Sequence, residues 1–170
     1  MAETVKSIEI ALENELKERD FYQNCSDKTD NPVGKKMFAI LADEEWDHYQ
    51  RLQEIHERLS KQGTWPETVS AVVKDTNIRE AINSIPAKAD DAASATTSDL
   101  EAVKIGIEFE TQGHKFYRGL AEAAETKAEK DFFSKLAAIE YEHLTSLKDS
   151  LSFFENPASW YEEKEKPHLD

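Results

Sequence analysis

The sequence predicts an all-α fold: a four-helix bundle made of two copies of one helical hairpin, joined by a long crossover. Two observations predict it. Apolar residues recur at the three- and four-residue spacing of a helix stripe through residues 4–26, 32–62, 99–125 and 127–155. The second half of the chain also repeats the first at a constant shift of 95 residues, in apolar and polar positions alike. One hairpin cannot bury its apolar face alone, whereas two bury theirs against each other.

In the first stretch Val5, Ile8, Leu12, Glu15, Tyr22 and Cys25 fall on one side of a helix. Asp30-Asn31-Pro32 supplies a cap followed by proline at the first helical position, which starts the second helix. Its inner face reads Phe38, Leu41, Glu45, His48, Leu52, Ile55 and Leu59, and Gly63 stops it. Residues 64–97 break the pattern. Trp65-Pro66 opens this crossover, a short helix fits residues 75–84, Pro86 ends it, and a run rich in Ala, Asp, Ser and Thr follows. So long a connection is uncommon in a compact domain unless it runs the length of a bundle. Ser98-Asp99-Leu100-Glu101 has the form of a capping box and opens the third helix, with Val103, Ile107, Glu110, Tyr117 and Ala121 along one side. Thr126 caps the fourth helix. That helix turns Phe133, Leu136, Glu140, His143, Leu147 and Leu151 inward until Asn156-Pro157 closes it. The bundle then spans residues 1–155, and a charged tail spans 156–170, expected to be partly ordered by Trp160 and Tyr161 and frayed at its end.

Polar residues interrupt the apolar stripes at matching places. Glu15 and Tyr22 correspond to Glu110 and Tyr117, and Glu45 and His48 to Glu140 and His143. Each Glu-x-x-His puts a carboxylate and an imidazole on one helix face. A single such motif is a weak signal, because charged helices generate it often. Two of them, at the same shift as two further glutamates, make a strong one. The plain alternative is a solvated charged face, but the apolar stripes run through these residues, so exposing them would expose the stripes.

Buried without counter-charge, four carboxylates cost several kcal/mol each. Two divalent ions cancel them. A glutamate from each of two helices, plus Glu-x-x-His from the other two, is the pattern of di-metal carboxylate bundles. Mixed oxygen and nitrogen donors suit iron, or manganese, better than zinc. The expected metal ligands are thus Glu15, Glu45, His48, Glu110, Glu140 and His143. Tyr22 and Tyr117 are placed to donate hydrogen bonds to ligand carboxylates. Glu18 departs from the repeat: it faces inward between Ala11, Tyr22 and Cys25, while its counterpart is Gly113. It is either a seventh ligand or a carboxylate on the rim. His114 belongs to the surface or the edge of the site. His56, about 12 Å along its helix from His48, reads as a satisfied core histidine, and Cys25 as a core residue.

The net charge of 21 − 35 = −14 argues against nucleic-acid backbones and anionic membranes as partners. One cysteine allows neither an intrachain disulfide nor a Cys-x-x-Cys site. The first residues lack a basic stretch followed by an apolar one, and no apolar run of about 18 residues exists to span a membrane, so a reducing cytoplasm is the expected location.

In these motifs the chain resembles the rubrerythrin family of ferritin-like di-iron proteins. The residues that carry the resemblance are Glu15…Tyr22, Glu45-x-x-His48, Glu110…Tyr117 and Glu140-x-x-His143, within residues 4–155. The resemblance implies a ferritin-like bundle with its crossover between the second and third long helices. It also implies a centre of two iron ions that reduces hydrogen peroxide or reacts with dioxygen. Rubrerythrins usually carry an appended rubredoxin domain with four cysteines. This sequence has one cysteine, so the resemblance implies a separate electron donor such as a rubredoxin-like protein. The family also has an extra glutamate three residues after the third-helix ligand. Gly113 stands there in this chain, and Glu18 holds the equivalent place on the first helix. The family's movement of iron between histidine and glutamate is therefore lost here or transferred to the other half. Other functions share the ligand pattern: a ferroxidase or iron-handling protein, an oxygenase, and a non-enzymatic bundle held together by metal. Trp46, Ile40, Phe109 and Phe116 lie off the inner faces and predict a homodimer.

Overall fold

The computed structural model describes residues 2–66, 73–83 and 95–159. The helices are α1 (Ala2–Lys28), α2 (Pro32–Gln62), α3 (Ile78–Asn83), α4 (Thr97–Ala123) and α5 (Lys127–Glu155), with no strand among the described residues. α1 packs along α2, and α4 along α5. α1 also touches α4, and the short α3 lies against both α2 and α5. The architecture is an all-α, ferritin-like bundle of two hairpins. Pro86, residues 84–94 and the tail aromatics Trp160 and Tyr161 lie outside the described residues.

Helix ends follow local chemistry. The Asn31 side chain accepts the Gly34 N–H at 2.9 Å ahead of Pro32. Gly63 closes α2 with φ 67°, a left-handed conformation suited to glycine, and its N–H bonds the Leu59 carbonyl. The α4 cap differs from expectation. The capping box is Thr96 with Asp99, not Ser98 with Glu101. Asp99 Oδ2 accepts the Thr96 N–H at 2.8 Å, and the Asp99 N–H bonds the Thr96 hydroxyl. The Asp99 carboxylate also takes a hydrogen bond from Thr29, at the end of α1, which fixes this register. The crossover helix starts at Ile78, three residues later than residue 75. Thr126 caps α5 in the same way, with Glu129 closing the box.

The apolar interior forms two clusters. One contains Ile8, Leu52, Tyr117, Phe133, Leu136 and Ala137; the other contains Val103, Leu147, Tyr22, Phe38, Leu41 and Ala42. Each residue of the first set matches one of the second at the shift of 95. Both clusters draw on α1, α2, α4 and α5, so neither hairpin owns a core. Ile40 and Phe116, expected at a partner surface, pack as partly buried residues against these clusters. His56 is not a core residue: it is partly exposed and meets Glu9 of α1 at 3.3 Å.

Candidate metal centre

The six expected ligands are all buried. Glu45, Glu110 and His143 are fully buried, and Glu15, His48 and Glu140 nearly so. Their donor atoms fall into two interlocked groups. Glu15, Glu45, His48 and Glu140 form one, and Glu45, Glu110, Glu140 and His143 form the other, each with its atoms within 4.8 Å of one another. Glu45 of α2 and Glu140 of α5 belong to both groups. The repeat places each Glu-x-x-His on the second helix of its hairpin, and the single glutamate on the first.

Charge and proton sharing dominate this layer. His48 Nδ1 lies 2.9 Å from Glu45, 3.4 Å from Glu15 and 3.5 Å from Glu140. His143 Nδ1 lies 3.1 Å from Glu45 and 3.4 Å from Glu110. Burial opposes a charged imidazole, but the surrounding carboxylates outweigh it and carry His48 up to about 10; they raise His143 in the same way. Burial, then the charge of Glu45, pushes Glu15 up to about 7, and the same causes in the same order raise Glu140. Burial acts against Glu45 too, yet the two histidines hold it below the ordinary carboxylate range.

Several donors remain without a hydrogen bond: Glu15 Oε2, Glu45 Oε1, Glu110 Oε2, Glu140 Oε1 and His143 Nδ1. Native interiors rarely leave so many buried polar atoms unsatisfied at one place. Anionic oxygens with imidazole nitrogen are the donors that iron or manganese accepts. The residues fit a divalent metal.

The tyrosines cross between hairpins. Tyr22 of α1 donates to Glu110 Oε1 at 2.5 Å, and Tyr117 of α4 donates to Glu15 Oε1. Burial, then neighbouring carboxylates, holds both phenols well above the ordinary tyrosine range, so they keep their protons. Each therefore fixes one oxygen of a candidate ligand.

Glu18 belongs to neither donor group. It is 8% exposed, not solvated on a rim, and lines a cavity of about 260 Å³ with Lys17, Phe109, Gln112, Gly113 and Phe116. Burial, then the charges of Glu110, Glu45 and Glu15, raises its carboxyl well above the usual range. Across that cavity, a Cβ at Gly113 would stand 2.7 Å from Glu140 Oε2. Glycine at 113 thus lets Glu140 occupy its position.

Glu44 is a participant that sequence reasoning misses. Its Oε2 accepts His143 Nε2–H at 2.6 Å. It lies outside the inner stripe, and the available signal is that its repeat partner is Ile139. His114 Nδ1 bonds the Ala137 carbonyl at 2.7 Å and its ring leans on Tyr141, outside both donor groups. Burial pushes the Cys25 thiol up to about 11, which disfavours the thiolate. None of the described helices is long and apolar enough to cross a membrane.

A family model, Rubrerythrin, matches residues 6–151. No curated protein and no solved structure gives a significant match.

Proposed function

This chain belongs to the rubrerythrin family, and we propose that it binds two iron ions and reduces hydrogen peroxide to water. The observation that carries this reading is the pair of donor groups sharing Glu45 and Glu140. Shared carboxylates are what a two-ion centre needs between its ions. Glu15 and His48 would hold one ion and Glu110 and His143 the other. Manganese suits the same donors, and family membership favours iron.

Bound as Fe(II), the ions supply the two electrons that, with two protons, convert one peroxide into two waters. The chain's own residues set the conditions. Tyr22 and Tyr117 orient Glu110 and Glu15. Glu18 is a reserve carboxylate beside the centre, its carboxyl held well above the usual range by burial and then by the neighbouring carboxylates. A higher metal charge favours an anionic oxygen donor, so oxidation would draw it in as a seventh ligand. Electrons come from a separate donor such as a rubredoxin-like protein. We place the working form as a cytoplasmic homodimer, supported by the exposed aromatic Trp46. A strictly monomeric protein at micromolar concentration would refute the dimer.

Anaerobic Fe(II) loading, then separate challenge with peroxide and dioxygen, tests the function. The expected result is about two irons per chain, the number that balances four buried carboxylates, and rapid oxidation by peroxide. One iron or fewer in folded protein removes the reading. Two irons inert to peroxide and to dioxygen identify a metal-stabilised bundle instead. A closed shell of many subunits by light scattering identifies an iron-handling protein.

A further inference from the structure

The two histidines are held differently. His143 splits its ring nitrogens: Nδ1 faces Glu45 and Glu110, and Nε2 donates to Glu44 at 2.6 Å. Glu44 is itself fixed by the crossover. The Thr76 hydroxyl donates to the same Glu44 oxygen at 2.6 Å, and the Asn77 backbone also bonds this carboxylate. Thr76 in turn accepts the Ile78 N–H at 3.2 Å, where α3 begins.

His48 lacks the equivalent carboxylate. Ninety-five residues beyond Glu44 stands Ile139, buried and apolar. His48 and Ile139 line a cavity of about 230 Å³ bordered by Asp43, Asp47, Lys74 and Asp75, and Glu44 and Asn77 reach its edge while Glu44 accepts its hydrogen bond from His143. One imidazole is therefore hydrogen-bonded to an anchored anion, and the other borders an open cavity that it shares with an apolar side chain.

A carboxylate on the far nitrogen of a ligating imidazole fixes its orientation and strengthens it as a donor. We propose that Glu44 is a positioning residue that makes the two metal positions unequal. The ion at His143 binds tightly and first; the ion at His48, beside the cavity, binds second and exchanges more readily. This inference rests on the two-ion reading above.

Anaerobic calorimetric titration of the metal-free protein with Fe(II) tests it. The parent should show two steps separated by about tenfold or more. Glu44→Gln keeps the shape and removes the charge. It should weaken the tighter step about 10–100-fold and bring the two steps together. Thr76→Val, which only loosens Glu44, should weaken the same step less. It carries the test if Glu44→Gln loses its helical signal. His48→Ala should retain the tight step, and in a His143→Ala background Glu44→Gln should have no further effect. Equal steps in the parent, equal weakening of both steps by Glu44→Gln, or an effect that persists without His143 would each overturn the inference while leaving the two-ion reading intact. A total of one ion or none would remove both.

Discussion

Tyr22 stacks on Phe38 with ring centres 6.2 Å apart and planes at 21°; in the other hairpin Tyr117 stacks on Phe133 at 6.3 Å and 17°. The neighbouring edge contacts, Phe21 on Tyr22 and Phe116 on Tyr117, share a separation of 5.4 Å. Around these pairs the ligands, the tyrosine hydrogen bonds and the apolar partners all coincide at the shift of 95. The halves part at positions beside the candidate ligands. Glu18 corresponds to Gly113, and Glu44 to Ile139. On the surface, Arg19 lies over Trp46 where the second hairpin sets His114 against Tyr141. The comparison separates two tasks. Positions that place the donors are kept twice, because packing on both sides of the polar layer depends on them. Positions that bias one donor against another occur once.

The largest test of this division removes a shared donor. Glu45→Ala or Glu140→Ala should abolish two-ion binding while the helical signal persists, since every apolar residue of both stripes is kept. Metal analysis beside circular dichroism checks this, and a variant that still binds two irons would show that the donors are not shared. Removing Glu15 or Glu110, each in one group only, should leave one ion bound.

Next come the tyrosines, which test whether the symmetry is energetic as well as geometric. Tyr22→Phe and Tyr117→Phe each delete a hydrogen bond to one unshared ligand. Each should weaken iron binding by about tenfold, and by matching amounts. A large effect in one hairpin with none in the other would break the equivalence.

Glu18→Gln probes the asymmetric side. Iron stoichiometry should stay at two while peroxide oxidation slows by about tenfold. Oxidised and reduced structures in which Glu18 faces solvent would remove its role. Gly113→Ala, opposite it, should cost a few-fold in iron affinity, because Glu140 must shift to admit the methyl group.

The smallest effect is on the stability of the metal-free protein. The Glu15 carboxyl rises from 4.5 to about 7, so its stabilising contribution is full below pH 4.5 and is lost as pH rises through 7. His48 rises from 6.5 to about 10, so its contribution is full below pH 6.5 and is lost as pH rises through 10. Glu45 acts in the opposite sense, adding stability that is lost on acidification. From pH 5 to pH 9 the melting temperature of metal-free protein should fall by a few degrees. Metal must displace these protons, so iron binding should tighten over the same range. A melting temperature that climbs across that window would contradict the shared-proton layer.

The stripes, the hairpin repeat and the six donors were legible because each obeys a period that sequence displays directly. Other features depended on contacts between distant segments. Thr96/Asp99 and Ser98/Glu101 both satisfy a capping pattern, and Thr29, just past the end of α1, decides between them. Glu44 sits outside the stripe, and only the fold brings α5 to it. Glu18 could be solvated or buried by sequence alone, and the packing of α1 near α4 buries it. Ile40 and Phe116 show that the inner face is wider than the strict stripe.

Because each apolar cluster is assembled from both hairpins, a lone hairpin carries half of two interiors and the whole of neither. Two identical, unlinked hairpins would have to pair, and any residue altered in one would be altered in both. A second Glu18 would then add another carboxyl to the polar layer in place of Gly113, and a second Glu44 would make the histidines alike. Covalent linkage lifts that constraint. It lets one chain carry a glutamate on one side and a glycine or isoleucine on the other, so that a paired scaffold supports two dissimilar donor groups.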